Sequence, residues 1–346
     1  MSTAKGIVIL TGANGGLGSA IVKQLADSKF ASFHTVYTVR DANRTPELVP
    51  DAAHDVVSLD LTDLDNVRQV AKDINARVSA GKIPPIRALI LNAGFQDFGK
   101  QSWTKQGLDT TFATNHLDHW LLTLLLLKSM DKVTGRIVVL GSQSHDPHDP
   151  RNKSGRAFVD PKYQTIVTDA DRFHAIAKGA WSPATEDAGF RGGYRRYGAA
   201  KLFQTMMQHE LQARLDADPD PNLHKLCVVG VDPGPMATGM QRLAPWVIRV
   251  LFFKVVFPMM AYLSPSRAFL NSTSRAAGDV LGSGEGSAEE EEEEGAALPK
   301  DGYFQNGVPM ETSEESRDGA KRALVWRETV KLTGLKEGET ALVNWK

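Results

Sequence analysis

Cysteine is nearly absent from this chain of 346 residues: Cys227 stands alone. An internal disulfide framework is therefore excluded, and a reducing compartment is the natural setting. That thiol lies in the apolar run KLCVVGV, where a buried strand side chain is expected rather than a nucleophile. An excess of charge is lacking too. The 40 lysines and arginines balance 41 acidic residues for a formal net charge of -1, so no general attraction to nucleic acid or to an anionic membrane is expected. Long uninterrupted apolar runs are also missing. The nearest candidate, APWVIRVLFFKVVFPMMAYL at 244–263, contains Arg249 and Lys254 and is interrupted by Pro245 and Pro258. Its two charges fall about 140° apart on a helical wheel and make no clean polar face, so a membrane span is not expected, and attachment at a membrane interface is a less favoured reading of this stretch. The opening MSTAKGIVIL runs straight into β-rich sequence and offers no signal-peptide pattern; a cytoplasmic protein is expected.

Short β-branched runs alternate with longer helical stretches. GIVIL (6–10), HTVYTV (34–39), DVVSL (55–59), RALIL (87–91), RIVVL (136–140) and KLCVVGV (225–231) read as buried strands. SAIVKQLADS, DNVRQVAKDINARV, TNHLDHWLLTLLLLKSM and GAAKLFQTMMQHELQARL have the spacing and length of helices. This alternation predicts an α/β fold, a doubly wound parallel sheet of the Rossmann type with helices on both faces. Six strands by residue 231 make one sheet, so residues 1–346 are read as a single domain. Two segments break the rhythm. Residues 146–196 hold no clear strand and read as an insertion. Residues 283–299 contain six consecutive glutamates, whose mutual repulsion predicts a disordered surface loop.

The first strand is followed at once by TGANGGLG (11–18) and then a helix. Gly12, Gly16 and Gly18 allow a tight turn and a close approach of backbone to a pyrophosphate resting on the helix N-terminus. At the end of the second strand, an acidic residue would accept from a ribose 2′-hydroxyl and an arginine would accommodate a 2′-phosphate. Here Arg40 precedes Asp41, which favours NADP(H) over NAD because a guanidinium pairs with phosphate and stacks on adenine. Further along, GGYRRYGAAK (192–201) places Tyr197 and Lys201 four residues apart, one helical turn on one face. Taken alone, that spacing is also what an ordinary amphipathic helix produces.

Together these residues resemble the short-chain dehydrogenase/reductase family, with motifs in the family's order over about residues 5–240. The later GYF (302–304) and LVWRETVKL (324–332) are similar to the retinol-dehydrogenase-like branch. The resemblance implies cofactor contacts from Gly12, Asn14, Gly16, Leu17 and Gly18, from Arg40, and from Asp60 and Leu61 after the third strand. It implies others from Asn92, Ala93 and Gly94 of LNAG, from Tyr197 and Lys201, and from Pro233, Gly234, Met236 and Thr238 of DPGPMAT. It implies a catalytic tetrad of Asn115, Ser142, Tyr197 and Lys201. The chemistry those types supply is definite. A carbonyl that receives hydride at carbon gains negative charge on oxygen, which must be stabilised and protonated. A tyrosine can donate that proton, a nearby ammonium lowers its pKa from about 10, Ser142 can orient the same oxygen, and Asn115 can hold a water that links Lys201 to solvent.

Several features depart from the family pattern. The connection from Ser142 to Tyr197 is long and emerges beside the site, where it reads as a substrate cover, an interface or inert surface, in that order. Its SHDPHDP segment carries His145, Asp146, His148 and Asp149, but the prolines deny them a regular spacing, so a solvated turn is expected rather than a metal site. Asp118 stands where the family commonly has glycine. Tyr194 reads equally as a pocket-lining residue and as a loop aromatic. The leucine-rich helix 117–127 leaves a homodimer surface open. In the family the equivalent of this chain's apolar segment covers the substrate, and the resemblance thus implies an apolar lid at about 240–270 and a bulky, weakly polar ketone, aldehyde or secondary alcohol. The expected function is NADPH-dependent carbonyl reduction; recruitment to a dehydration or cyclisation step and non-catalytic NADP sensing are the rivals.

Overall fold

The computed structural model describes residues 4–43, 53–236, 271–285 and 300–346. The lid at about 240–270, Thr238 and most of the acidic run lie outside the described residues. Eight strands form one sheet in the order β3-β2-β1-β4-β5-β6-β7-β8. β1 (Gly6–Thr11), β2 (Phe33–Val39), β3 (His54–Ser58), β4 (Ile86–Leu91), β5 (Arg136–Leu140), β6 (Cys227–Asp232) and β7 (Tyr303–Gln305) are parallel, and the short β8 (Val308–Pro309) closes the edge antiparallel to β7. The chain leaves β1 for β2 on one side and returns to β4 on the other, so the strand order reverses between β1 and β4. Ligands of open α/β sheets bind at such a crevice.

Alternation along the strands builds two cores. Ile7, Ile9, Leu89, Leu91, Ile137 and Val139 face α2 (Leu64–Ser79) and α4 (Asp118–Leu126), whereas Val8, Leu10, Ile90, Val138 and Leu140 face α1 (Gly16–Leu25) and α7 (Thr273–Glu285). The single thiol, Cys227, is buried in the second core. Every residue of α4 is buried within the one chain. The helix packs chiefly on α2, and α9 (Gly319–Thr333) with the residues beyond it joins the same core: the Trp120 and Trp326 rings pack edge to face at 5.0 Å, and Trp326 Nε1 donates to Trp345 O at 2.7 Å. The helix that reads as a candidate dimer surface is thus occupied by α2 and the chain's own C-terminal segment.

Three expectations are corrected. The sheet does not end at β6, because Tyr303 and its neighbours extend it. The helix that carries Tyr197 begins before GAAK: α6 runs Phe190–Asp216, so the insertion ends at 189 and Tyr194 is a helical residue. The SHDPHDP segment is a solvated turn only in part, with His148 exposed and Ser144 and His145 buried. His145 is buried, its Nδ1 lies 2.7 Å from Ser142 O, and its Nε2 accepts from Ser313 N at 3.1 Å. Among the described residues no group of three or more His, Cys, Asp or Glu could hold a metal ion.

The insertion is anchored by the two arginines that precede Tyr197. Arg195 donates to Ser182 Oγ at 2.8 Å, to Ala157 O and to Asp187, and stacks over Tyr163 with 4.1 Å to the ring centroid. Arg196 donates to Ser182 O and grips Asp97 with two 2.8 Å bonds. At its far end, Glu315 of α8 (Glu314–Arg317) accepts from Ile166 N and Val167 N.

Asp118 lies buried on α4, with Asp60 and the α2 N-cap Asp63 as acidic neighbours. Burial, reinforced by those two carboxylates, pushes its pKa up to about 8. A folded pKa above the unfolded one favours the protonated form, so its contribution is full near pH 4 and is lost as pH rises towards 8. Asp118→Asn should flatten that decline and stabilise the chain by roughly 1–3 kcal/mol at pH 8. Urea unfolding at pH 5 and pH 8 checks it: an equal effect at both pH values would refute the buried acid.

Candidate active site

At the reversal between β1 and β4 lies a cleft of ≈ 320 Å³ lined by backbone and side chains from eight segments. Its floor is the turn from β1 to α1. Gly12 has φ +67, and a Cβ there would stand 2.9 Å from Ala93 Cα, so only glycine lets the turn press on the β4 loop. The N-cap of α1 is Gly15, whose lack of a side chain leaves the first helical N–H groups uncapped. Such an N-terminus, facing a cleft across glycine backbone, is chemically suited to a pyrophosphate. Asn92 ties the floor together by donating to Thr11 O at 2.7 Å and Gly12 O at 3.2 Å, while Ala93 N donates to Thr11 Oγ1 at 2.9 Å.

The cleft brings together most of the expected cofactor contacts: Gly12, Asn14, Gly16, Leu17, Gly18, Arg40, Asp60, Leu61, Asn92, Ala93, Gly94, Pro233 and Met236 all line it, with Tyr197 and Lys201 at its inner end. Gly234 sits at φ +70 beside it, its N–H on Asp232 Oδ1. Arg40 and Asp41 are both exposed at the end of β2. Several lining residues were not singled out from sequence, among them Thr62, Phe95, Gln96 and Thr114. Phe95 and Gln96 directly follow Gly94, which is the one signal that could have marked them.

Four elements position the expected tetrad. Ser142 follows β5 and caps the next turn, where Ser144 N and Ser144 Oγ donate to its Oγ at 3.3 and 3.0 Å. Tyr197 and Lys201 come from α6, which approaches this turn closely because Gly198 has no side chain: a Cβ would meet Ser144 O at 2.5 Å. Tyr197 is 7% exposed. Burial pushes its hydroxyl well above the ordinary tyrosine value, Tyr194 and Asp232 add to this, and the Ser142 hydroxyl pulls it back. The Lys201 ammonium lies 5.7 Å from the Tyr197 ring centroid and donates to Leu140 O and Gln204 Oε1. Burial pushes Lys201 itself down to about 7, against the pull of Asp232.

Asn115 sits in a π-helical turn at Ala113–Leu117. Its carboxamide donates to Phe95 O at 2.7 Å and Thr111 O at 2.8 Å and accepts from Phe95 N at 3.2 Å. That side chain is committed to joining the β4 loop to the helix, rather than presented for a water.

An aromatic row leads away from Tyr197. Its ring lies 6.5 Å from Tyr194, which stacks on Phe190 at 5.2 Å, which meets Phe98 at 5.9 Å. Beside it, Tyr194 OH donates to Asn152 Oδ1 at 2.8 Å, and Arg151 grips Asp149 and reaches Asp232 at 3.4 Å. The first part of the insertion therefore packs against Tyr194 and Asp232, and the remainder buttresses α6.

A glycine turn under an uncapped helix, at the reversal point of a parallel sheet, defines a dinucleotide-binding α/β protein. A family model described as short chain dehydrogenase matches residues 6–151. The short-chain dehydrogenase iccH of Talaromyces variabilis is 38% identical over 372 residues, spanning 99% of each chain. Polyprenol dehydrogenase of Mus musculus is 28% identical over 98% of this chain and 87% of its own. Among solved structures, the NADPH-bound carbonyl reductase from chicken fatty liver shares the fold, with a TM-score of 0.54 and 15% identity over 89% of this chain and 99% of that one. The chain belongs to the short-chain dehydrogenase family of oxidoreductases, which use nicotinamide cofactors. Among the described residues no helix is long and apolar enough to cross a membrane.

Proposed function

We propose that the chain reduces the ketone or aldehyde of a bulky, weakly polar molecule with NADPH, or oxidises the corresponding alcohol, in the cytoplasm. The observation that carries this reading is the presence of Tyr197 and Lys201 in the lining of the cleft whose floor is the glycine turn, with the Ser142 hydroxyl beside that of Tyr197. The cofactor supplies hydride to the carbonyl carbon. As the C=O electron pair moves to oxygen, Tyr197 donates its proton there and Ser142 holds the oxygen in place. Burial raises the Tyr197 hydroxyl and makes it a weaker acid, so the negative charge developing on the substrate oxygen has to draw the proton from it. Solvent then restores the tyrosine.

Arg40 supports NADPH over NADH, because it lines the cleft at the strand end where a 2′-phosphate would lie. Arg40→Leu should raise KM for NADPH about ten- to a hundred-fold and leave KM for NADH nearly unchanged, as expected for loss of one charge-assisted contact of about 1.5–3 kcal/mol. Equal effects on the two would remove Arg40 from cofactor choice. The row Tyr194, Phe190 and Phe98 supports a substrate with rings or an extended apolar body, a polyketide, terpenoid, steroid or retinoid-like carbonyl. A spectrophotometric screen of NADPH oxidation against such carbonyls tests the proposal. Tight NADPH binding with no turnover of any of them would favour a cofactor sensor instead.

A further inference from the structure

The buried side of Lys201 is wired to the glycine turn. Its ammonium donates to Leu140 O at 2.6 Å and to Gln204 Oε1 at 2.8 Å. The same carboxamide presents Nε2 to His119 Nδ1 at 3.5 Å, and His119 Nε2 lies 3.0 Å from Thr11 Oγ1. Thr11 Oγ1 accepts from Ala93 N at 2.9 Å and reaches Ile90 O at 3.4 Å. All of these side chains are buried. The direction of every bond follows from the first. With its oxygen held by an ammonium, Gln204 can offer only N–H to the histidine, so Nδ1 accepts and the ring proton sits on Nε2. Nε2–H then donates to Thr11, whose own hydroxyl proton is left for Ile90 O. Thr11 immediately precedes Gly12, so the chain of bonds ends at the turn beneath the cofactor cleft.

We propose that Gln204 and His119 are positioning residues that hold Lys201 as an ammonium, fixed relative to the glycine turn, through this one-directional chain. The proposal rests on the reading of Lys201 as the cation beside the reacting tyrosine. Both contacts of Nζ are neutral oxygens. The titratable groups that face it are Tyr197 on its own helix, Asp232 at the end of β6 and His119 on α4; Asp232 is itself shared with Arg151, His145 and Asp149. His119 is held neutral by burial, first of all, and then by the Lys201 charge, which together push it down to about 3. It therefore remains an acceptor at Nδ1 throughout the working pH range and adds no repulsion to the ammonium. A carboxamide locked between an ammonium and an imidazole has one orientation; without the histidine it can turn its N–H groups towards Lys201.

Acetylation of Lys201 in the full-length, cofactor-free chain, followed against pH by mass spectrometry of its peptide, tests this without turnover. Gln204→Met, which keeps the volume and removes the acceptor, should move the labelling midpoint down by about one pH unit, and Gln204→Glu, which sets a carboxylate there, should move it up by at least as much. His119→Leu should move it in the direction of Gln204→Met, and His119→Gln, which can accept and donate at the same two faces, should restore it. Shifts of Gln204→Met and Gln204→Glu in the same direction, or a midpoint indifferent to both, would overturn the proposal; an unmoved midpoint in His119→Leu would overturn the histidine's part. Should Gln204→Met fail to fold, Gln204→Glu and the two histidine variants decide by the same criteria. Labelling that shifts as stated in a chain that reduces no carbonyl would sink the proposed reaction and leave the positioning intact. Unmoved labelling in a chain that does reduce carbonyls would sink the positioning alone.

Discussion

Tyr197→Phe is expected to lose carbonyl-dependent NADPH oxidation by about 10²–10⁴-fold, the usual worth of a placed proton donor, while still binding the cofactor. The substitution removes one oxygen and leaves the ring where it is, packed 6.5 Å from Tyr194. The cleft floor is built by Gly12, Gly15, Asn92 and Ala93, none of which depends on the phenol. Cofactor binding, followed by fluorescence titration, should therefore stay within a few-fold of wild type, and the loss should fall on kcat. Turnover that persists undiminished in the phenylalanine variant would show that another group protonates the substrate. Of the other phenols at the site, Tyr194 already donates to Asn152, whereas the Tyr303 hydroxyl lies against Gly141 and interacts with Tyr197, so an unaffected rate would point to Tyr303, to solvent or to the substrate's own hydroxyl.

Arg196→Met should be the most damaging substitution one residue away from the chemistry. The guanidinium and Asp97 are 3% and 1% exposed and share two hydrogen bonds at 2.8 Å. Asp109 lies 3.8 Å from the same guanidinium and is raised by its own burial first, with Asp97 adding to the rise. Removing the cation leaves two carboxyls in one dry pocket. Breaking a buried pair from one side costs about 3–5 kcal/mol, which corresponds to a fall in Tm of roughly 4–7 °C for a chain of this size. Thermal unfolding of Arg196→Met beside Arg196→Met/Asp97→Leu checks the cause. The double variant should recover part of the loss, because the stranded charge is gone; a double variant as weak as the single one would assign the loss to packing.

The strands were legible because each is a short apolar run whose neighbours switch period, and because a parallel sheet buries both faces of a strand. The glycine turn was legible because it sits directly between β1 and α1. What escaped reading did so for local reasons. β7 is three residues long, too short for any periodicity to show. The start of α6 reads as a turn because Gly192 and Gly193 lie in its first turn. Gly193 lies so close to the Asp97 loop that a Cβ would stand 2.5 Å from Asp97 Oδ1, a reason for glycine that exists only in three dimensions. His145 looks like a surface histidine among prolines until Ser313, 168 residues later, arrives to donate to it. Gln204 and His119 carry no signal of their own, since each gains meaning only from the partner that another helix brings.

The covering of α4 has a consequence for mass action. A fold whose apolar seam is closed by a second copy is stabilised in proportion to how much protein is present, because dilution withdraws the partner. Here Trp326, Leu335, Leu342 and Trp345 close the seam within the same chain, at an effective concentration that dilution does not change. That face contributes the same stability in a nanomolar assay as in a concentrated stock.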